Sequence, residues 1–438
     1  MKICVTVREY ARLTTSTLEK QSLDKATVSS SVFDYLCQLS VEYRTTGVNL
    51  VQEINRTSLR LDNYVGVIET PCGTVLEILP KHVDDISDVE ASRQLLCRML
   101  QVILKLPAPR EIGPADIKKL RSPLHEWVIE QFLIQLDILF KRGIRFDYQY
   151  LEEEQRYLHG QLNINAQLRQ PPGRQHIFQI RHDVFTPDRP ENRLLKTALI
   201  KICKHTQVPE NWRLAHEMVG RMVEIPLSQQ IPADFKRWSS LMLMAHYQAI
   251  KPWCELVLGE NMPFSVRGET RGISLLFPME KLFEAYVESC LRKQLLQGAQ
   301  LKSQVTSEYL CKHQQKPFFQ LKPDLLLKWS NKSWIIDIKW KRIEDTLYAY
   351  SDNSGVRNYG LSQNDFYQLF AYGQKYLGGS GEMLLIYPQT KYFSAPLPVF
   401  YFSNELRLWV LPFNLNEGLL ILCPEIHLPI KMSTGESS

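Results

Sequence analysis

The 438-residue sequence lacks the patterns that would assign it to several common protein classes. Its nine cysteines include no Cys-x-x-Cys pair, which argues against a disulfide framework and against a structural zinc site. No apolar run is long enough to span a membrane, and the start, MKICVTVREYARL, has no secretory hydrophobic region. These absences favour a protein of the reducing cytoplasm that makes no membrane contact.

A second absence concerns nucleotides. No G-x-x-x-x-G-K-[ST] phosphate-binding loop occurs in the chain, so any dependence on a nucleoside triphosphate should come from a partner. The net charge of +5 and the pI near 8.6 permit contact with nucleic acid. They are lower than expected for a strongly basic DNA-binding domain.

Sequence patterns divide the chain into three predicted parts. Residues 1–85 carry short β-prone runs and should form a small β-rich module. Residues 86–268 carry apolar residues at helical spacing and should form a mainly helical middle domain, followed by a third part at 269–438. The predicted elements before the third part are strands at 58–61, 64–69, 74–79 and 144–150, and helices at 33–43, from Ser87, from Ser122 to Gly143, and at 192–204, 212–223 and 241–258.

A segment of the third part, FFQLKPDLLLKWSNKSWIIDIKWKR, contains the most informative pattern. Two β-prone runs are separated by a short polar cluster of turn formers, which predicts a β-hairpin. With the turn centred on Asn331 and Lys332, Asp324 would lie opposite Lys339. Asp337 would share their face, because it lies two residues before Lys339 on the same strand.

Two interpretations of this hairpin are open. A salt-bridged hairpin with Asp and Lys on a solvated face is common, and a D-x-K tripeptide often occurs by chance. However, Asp337 and Lys339 interrupt the apolar run WIIDIKW, and buried strands rarely keep charges unless these are paired or bind a metal. Two carboxylates on one face, with the ammonium beside them, could hold one divalent cation. The pattern therefore favours a functional site.

The charged residues of the hairpin also resemble a known signature. Pro323-Asp324 followed by Asp337-Ile338-Lys339 is similar to the motif of the PD-(D/E)XK nucleases. The surrounding elements are predicted in the order found in the core of that fold, namely a helix at 278–287, the hairpin, a helix at 364–372 and a strand at 384–388.

Further segments narrow the resemblance to one family. PENRLLKT at 190–197, the hairpin, SQN at 362–364 and LLIYP at 384–388 occur in this order in McrC proteins, and the likeness covers about residues 90–430. McrC proteins are the nuclease subunits of McrBC-type restriction systems, in which a separate AAA+ GTPase, McrB, recognises methylated DNA. The resemblance therefore implies a DNA endonuclease subunit that works with an McrB-like partner and uses GTP only through that partner.

The resemblance implies a fold class and a set of site residues. The fold would be a multidomain α+β or α/β protein whose C-terminal PD-(D/E)XK domain has a mixed β-sheet flanked by helices. Asp324, Asp337 and the main-chain carbonyl of Ile338 would bind Mg²⁺, or Mn²⁺ in its place, because these hard cations prefer oxygen ligands. Lys339 would orient or activate water and stabilise the phosphate. Glu284 would be either a ligand or an outer neighbour of the metal.

Gln368 and Tyr372 resemble the Gln-x-x-x-Tyr element of the RecB-like nucleases. Their spacing of four residues places both on one face of the predicted helix. The resemblance alone implies that they support the active site.

Several alternatives are open from the sequence. The chain could instead be a non-catalytic assembly subunit that stimulates an NTPase partner, although the intact Asp-Asp-Lys set argues against a mere scaffold. Residues 1–85 could be a structural cap or the docking site of the partner, and their removal is expected to leave the rest folded. The polar loop at 341–363 could close over DNA or have no role. Two copies could pair through their nuclease domains.

Overall fold

The structure is a computed structural model that describes residues 4–44, 49–81, 89–103, 123–239, 241, 244–259, 275–343 and 359–431. Its strands are, in chain order, β1 (Cys4–Arg8), β2 (Arg12–Thr14), β3 (Lys25–Thr27), β4 (Val51–Asn55), β5 (Ser58–Leu61), β6 (Tyr64–Glu69), β7 (Val75–Leu79), β8 (Asp147–Gln155), β9 (Gln161–Leu162), β10 (Phe178–Thr186), β11 (Leu275–Pro278), β12 (Gln300–Ser303), β13 (Tyr309–His313), β14 (Lys316–Gln320), β15 (Leu325–Trp329), β16 (Lys332–Ile338), β17 (Gly381–Pro388), β18 (Phe400–Tyr401), β19 (Leu406–Asn414) and β20 (Leu419–Leu420). Its helices are α1 (Ser30–Arg44), α2 (Val89–Ile103), α3 (Leu124–Arg142), α4 (Ile164–Leu168), α5 (Pro190–His205), α6 (Pro209–Gly220), α7 (Ile231–Arg237), α8 (Ala245–Gln248), α9 (Lys251–Leu258), α10 (Met279–Gln294) and α11 (Gln363–Tyr376). Within the described ranges, no helix combines the length and the hydrophobicity that a membrane crossing requires.

The chain folds into two compact units. Met1–Arg121 and Phe264–Ser438 form the first unit, and Ser122–Pro263 forms the second, which is thus an insertion in the sequence of the first. The boundaries of the three-part division stay a prediction. The contacts nevertheless group its first part, and residues 86–121 of its middle part, with its third part, a relation that the sequence analysis did not predict.

The amino-terminal part of the first unit consists of two four-stranded sheets, in the orders β1-β7-β6-β11 and β3-β2-β5-β4. The three strands predicted near its end are present as β5, β6 and β7. β11 is encoded after the inserted unit, yet it pairs antiparallel with β6, with Leu275 opposite Val67. This close approach requires glycine at position 66, because a Cβ on Gly66 would lie 1.8 Å from the main-chain oxygen of Leu275. Leu276 then joins the apolar core of these sheets.

The carboxyl-terminal part of the first unit is built on a seven-stranded mixed sheet, in the order β12-β15-β16-β17-β19-β18 with β20 beside β19. β16, β17 and β19 run parallel, whereas the other neighbours are antiparallel. β17 and β19 are nearly continuous apolar runs, as expected of parallel strands that are covered on both faces. α10 packs on β16 and β20, and α11 packs on β16 and β17. The predicted order of helix, hairpin, helix and strand is therefore present.

The second unit contains the helices α3 to α9 and a three-stranded antiparallel sheet in the order β8-β10-β9. β8 and β10 pair over nine residues, from Asp147 opposite Thr186 to Gln155 opposite Phe178. The sequence analysis expected a mainly helical region with one strand at 144–150, and it missed the rest of this ribbon. Nearly all of the ribbon side chains are partly or fully exposed, so the apolar and polar alternation of a half-buried strand is absent.

The segment PENR at the start of α5 ties this helix to the base of the ribbon. Asn192 is fully buried, and its side-chain amide donates to Arg145 O at 2.9 Å and to Pro187 O at 2.8 Å. The Tyr247 hydroxyl donates to Asn192 Oδ1 at 2.8 Å and accepts from the Arg145 N–H at 2.9 Å. Because Arg145 and Pro187 lie just outside β8 and β10, the motif has a structural role.

Candidate active site

The turn of the β15–β16 hairpin lies one residue earlier than predicted. Trp329 pairs with Lys332, so the two turn residues are Ser330 and Asn331, not Asn331 and Lys332. Ser330 adopts the left-handed conformation, with φ of 53°. A positive φ at the first central residue matches the twist of a two-residue hairpin turn, which explains this choice of turn centre.

The shift in register changes the neighbour of Asp324. Leu325 pairs with Ile336, so the next step of the ladder places Asp324 beside Asp337, and the predicted pairing with Lys339 is wrong. The side chains stay on their predicted face, because the partner changes by two residues and strand side chains alternate with a period of two. The two carboxylates are thus neighbours across the strand pair.

Asp337 and Lys339 form the more buried side of the site. The Asp337 side chain is 1% exposed and the Lys339 side chain 30% exposed, and Lys339 Nζ lies 2.8 Å from Asp337 Oδ2. Removing charges from water is costly unless each compensates the other, so this ion pair explains how β16 keeps both charges in an apolar run. Ile335, on the same face of β16, packs in the core with Leu369 of α11.

Asp324 is held by the main chain of the opposite strand. Its Oδ2 accepts a hydrogen bond from the Ile338 N–H at 2.8 Å. If the hairpin ladder continued, Ile338 would face Pro323, which has no N–H to donate to the Ile338 carbonyl. The Pro323-Asp324 pair therefore ends the ladder and directs the Asp324 carboxylate to the Ile338 N–H. At position 323, a residue other than proline would donate its N–H to the Ile338 carbonyl oxygen, and proline has no N–H to donate.

The carboxylates destabilise each other's charged form. Burial is the main cause that raises the pKa of Asp337, and repulsion from Asp324 adds to it. Burial also raises the pKa of Asp324, with the charge of Glu284 as the second cause. Burial works against the charge of Lys339, but the carboxylates of Asp337 and Asp324 outweigh it and raise the pKa of the lysine. The site thus gathers negative charge that a divalent cation would relieve.

Glu284 of α10 lies within electrostatic range of the hairpin carboxylates. Its side chain is 20% exposed, and its Oε2 pairs with Lys281 Nζ at 2.7 Å. Burial raises the pKa of Glu284, and Lys281 lowers it in part. The role of Glu284, as a ligand or as an outer neighbour of the metal, stays a prediction.

α11 fixes the main chain that leads to Asp324. Gln368 Nε2 donates to the Tyr372 hydroxyl at 2.5 Å, and this buried hydroxyl donates to Lys322 O at 3.0 Å. One turn later, the Tyr376 hydroxyl lies 2.9 Å from Leu321 O. The Gln-x-x-x-Tyr pair thus contacts the segment next to the site through a main-chain carbonyl, and Gln368 itself is exposed.

Asp365, in the first turn of α11, was not predicted as a site residue. Burial and Asp324 are the larger causes of the raised pKa of Asp337, and the charge of Asp365 adds to them. Asp365 Oδ2 also lies 3.5 Å from the hydroxyl of the buried Tyr387. An acidic residue in a first helical turn is common, so this proximity could not be predicted from local sequence patterns.

A residue from the amino-terminal region also reaches the site strand. Glu9 is 1% exposed, and its Oε1 accepts from the Trp340 indole N–H at 2.8 Å and from the Lys81 N–H at 2.9 Å. Trp340 directly follows Lys339 and packs against the Phe283 ring of α10, with 5.1 Å between ring centroids. Glu9 therefore anchors the chain immediately beyond the site lysine, although nothing local in the sequence indicates this contact.

The donor atoms at this site fit the predicted metal. In the part of the chain that the structure describes, no group of three or more His, Cys, Asp or Glu side chains is gathered closely enough to hold a metal ion. The candidate set is instead Asp324, Asp337 and the carbonyl of Ile338, all of which offer oxygen, the donor that Mg²⁺ and Mn²⁺ prefer. The mutual repulsion of the carboxylates is also the condition that a bound cation relieves. The loop predicted at 341–363 lies mostly outside the described residues.

A comparison with models of protein families shows which family the chain belongs to. A family model described as McrBC 5-methylcytosine restriction system component matches residues 59–388. The chain belongs to this family. The identification of the chain as a McrC-family protein, made from the sequence, is confirmed by this match together with the similar structures described next.

Two solved structures resemble this McrC-family chain. One is a half-complex from a tetradecameric assembly of Thermococcus gammatolerans McrB AAA+ hexamers with bound McrC, with a TM-score of 0.69 and 18% identity, covering 94% of each chain. The other is the Thermococcus gammatolerans McrBC complex, with a TM-score of 0.51 and 20% identity, covering 66% of this chain and 87% of that chain. At these identities the likeness establishes the fold. A comparison with curated proteins finds no matching sequence.

Proposed function

We propose that this McrC-family chain is the metal-dependent endodeoxyribonuclease subunit of an McrBC-type restriction system, with a PD-(D/E)XK nuclease domain. The observation that carries the proposal is the buried Asp337 paired with Lys339, with Asp324 beside them, at the ends of two adjacent strands. A scaffold gains nothing from buried carboxylates that repel each other, because such a pair destabilises the metal-free protein. A nuclease needs them to bind its cation.

The residues of the site would divide the work of phosphodiester hydrolysis. Asp324, Asp337 and the Ile338 carbonyl would hold Mg²⁺, which would activate water and neutralise the charge that develops on the phosphate. The Ile338 N–H fixes the orientation of Asp324. Lys339 would orient or activate the water and stabilise the phosphate.

Gln368 and Tyr372 would act by positioning. Their hydrogen bonds end on the main chain of Lys322, two residues before Asp324, and do not involve the carboxylates. Glu284 would tune the charge of the cluster from α10. Under these assignments the hairpin supplies every proposed ligand, and the two helices supply side chains that support it.

The proposal includes an AAA+ GTPase partner of the McrB type that recognises methylated DNA. The sequence has no phosphate-binding loop of its own, and the first of the similar structures contains McrC bound to McrB hexamers. We therefore expect that cleavage requires GTP and the partner, and that the partner hydrolyses the GTP. Pairing of two nuclease domains stays a prediction.

The test is cleavage of methylated plasmid DNA by the complex co-purified with its McrB-like partner, in the presence of GTP and Mg²⁺. Asp337→Ala and Lys339→Ala should each reduce the cleavage rate at least about 10²-fold, while partner binding and GTPase stimulation stay near wild type. Lys332→Ala is the matched control, because this exposed lysine lies at the opposite end of the same strand. It should cleave at the wild-type rate.

The outcomes separate the proposal from its alternative. Folded Asp337→Ala and Lys339→Ala variants that cut at wild-type rates would exclude the hairpin as the active site. A wild-type chain that stimulates the GTPase but never cuts would identify a non-catalytic assembly subunit. Mg²⁺ or Mn²⁺ should support cleavage and Ca²⁺ should allow DNA binding with little turnover, so full cleavage in excess EDTA would contradict the metal mechanism. Circular dichroism and thermal melts confirm that each variant is folded.

A further inference from the structure

A second and smaller hairpin, β13–β14, lies directly before Asp324 in the chain and outside the large sheet. All residues from 310 to 320 are exposed. The two ends of this segment are fixed to α11, because the Tyr376 hydroxyl lies 2.9 Å from both Val305 O and Leu321 O. Since Asp324 follows Leu321 by three residues, the hairpin projects from the rim of the candidate active site.

Two phenylalanines of this hairpin are gathered into one exposed pair. Phe318 is 50% exposed and Phe319 66% exposed. Successive side chains of a regular strand point to opposite faces, but these two rings meet edge to face with 5.2 Å between their centroids. The cause is the left-handed conformation of Phe319, whose φ is 57°. The same conformation leaves Phe319 without a paired residue in the β13–β14 ladder, although the residue pairs on either side of it are present.

Neither feature is explained by packing within the described residues. A left-handed conformation is unfavourable for a residue with a Cβ, and strained residues of this kind concentrate at functional sites. Neighbouring exposed rings forgo the stabilisation that burial gives, and contiguous exposed apolar groups mark binding surfaces. His313 extends the aromatic surface, because its ring packs edge-on against Phe318 with 6.2 Å between centroids.

The charge around the hairpin indicates what it binds. Residues 302–322 contain four lysines and one acid, Glu308, which gives a net charge of +3 in a chain whose total is only +5. Lysines neutralise phosphates, and aromatic rings stack on bases whatever the sequence, so lysines beside exposed rings match a nucleic acid. The four lysines are all exposed, and they are Lys302, Lys312, Lys316 and Lys322.

We propose that the β13–β14 hairpin is a DNA-binding element that places Phe318 and Phe319 against base faces beside the phosphodiester to be cut. The location of that phosphodiester at Asp324 rests on the proposed nuclease function. The hairpin adds a contact that the hydrolytic residues do not provide. Because α11 holds both ends of the hairpin, the distance between the contacted bases and the cleaved bond is fixed by the fold.

Binding of a fluorescein-labelled DNA duplex with single-stranded overhangs, whose unpaired bases expose their faces, tests this inference apart from cleavage. The assay uses the full chain, without partner and in Ca²⁺. Fluorescence anisotropy over a salt series gives the Kd and its salt dependence. The double variant Phe318→Ala/Phe319→Ala should weaken binding about tenfold or more with an unchanged salt slope. Lys312→Ala/Lys316→Ala should reduce the slope by about 2. All four side chains are exposed, so the variants should fold.

Tyr401→Ala is the matched control for the aromatic variant. Tyr401 is 64% exposed on β18, the strand at the other end of the large sheet, and its loss should leave the Kd unchanged. Wild-type affinity in both hairpin variants, or no binding by the wild type at low salt, would overturn the inference. Hairpin variants that bind DNA like the wild type but no longer co-purify with the AAA+ partner would also overturn it, because the hairpin would then be a protein contact. DNA binding that depends on the hairpin in a chain that never cuts would instead refute only the nuclease function.

Discussion

Replacing Glu9 by glutamine should change how the stability of the protein depends on pH. Burial raises the pKa of Glu9 to about 7, the hydrogen bonds from the Lys81 N–H and the Trp340 indole lower it in part, and the charge of Glu280 raises it further. Glutamine keeps a carbonyl oxygen for the two N–H donors but cannot ionise. The substitution therefore removes the titration while leaving the anchor of the site strand in place.

The size of the effect follows from the two pKa values. A glutamate in the unfolded chain titrates near 4.5, so the folded protein binds this proton more tightly than the unfolded chain does. The resulting stabilisation is fully present below the unfolded value and is lost as the pH rises through about 7. At about 1.4 kcal/mol per pKa unit, the total contribution of Glu9 to the free energy of unfolding is about 3 kcal/mol. About 2.5 kcal/mol of this contribution is lost between about pH 5 and about pH 8.

The measurement is urea unfolding of wild type and Glu9→Gln at both pH values, in EDTA, followed by tryptophan fluorescence. The free-energy difference between the two proteins should shift by about 2.5 kcal/mol in favour of the variant at the higher pH. The amide adds an offset that does not change with pH, and Asp324 and Asp337 titrate equally in both proteins. Both contributions cancel in the comparison. The chain has two compact units, so where unfolding shows two transitions, the one that the substitution shifts is the one to compare.

An equal free-energy difference at both pH values would refute the assignment of Glu9 as a buried, late-titrating carboxyl. Glu9→Ala is the control for the anchor. It removes the acceptor of two N–H groups, so it should be less stable than Glu9→Gln by about 1–3 kcal/mol at both pH values. It should also slow cleavage more than Glu9→Gln does, because Trp340 directly follows Lys339. Equal cleavage by the two variants would separate the anchor from catalysis.

Asp324→Asn should raise the melting temperature in EDTA, because it removes one of two repelling carboxylates, and it should abolish the stabilisation that Mg²⁺ gives to the wild type; an unchanged response to Mg²⁺ would exclude Asp324 as a ligand. Asn192→Ala should lower the unfolding free energy by about 3 kcal/mol, since it deprives two main-chain carbonyls and a hydroxyl of their partner, and a thermal melt close to wild type would contradict this. Phe319→Gly should stabilise the protein by about 1 kcal/mol by relieving the left-handed conformation while it weakens DNA binding, and a lower unfolding midpoint would refute the strain. Removal of residues 1–81 should give an insoluble chain or one without a cooperative melt, contrary to the expectation from sequence. The reason is that β11 loses its partner strand and Trp340 loses the Glu9 acceptor. A soluble truncation with a wild-type melt would show that the region is separable.

Local patterns were sufficient to predict the elements of the site. The apolar spacing of α10 and α11 and the β-prone runs of the hairpin are properties of neighbouring residues, so these two helices and both strands of the hairpin could be placed from sequence. The strands β12, β13 and β14 were not predicted. The register of the hairpin could not be predicted, because the cluster SNKS allows two turn centres and the choice depends on the conformation of Ser330. Even so, the face of Asp337 and Lys339 was predictable from the period of two.

Contacts between distant parts of the chain left no signal in the sequence. The pairing of β11 with β6 and the bond from Trp340 to Glu9 join residues on either side of the inserted unit. Neither contact changes the local hydrophobic periodicity or a turn motif, so local patterns predict the first and third parts as separate domains. The exposed ribbon β8–β10 was missed for a different reason, because strands without a buried face lack the alternation that identifies a strand.

β11 is translated long after its partner strand β6, which has a consequence for folding during synthesis on the ribosome. Residues 275–278 are translated after the whole inserted unit, so β6 presents an unpaired outer edge while that unit is made and folds. An open strand edge readily pairs with another chain, and partly made proteins aggregate through such edges. A translational pause placed between residues 263 and 275 should therefore lower the yield of native protein, and co-expressed chaperones should restore it.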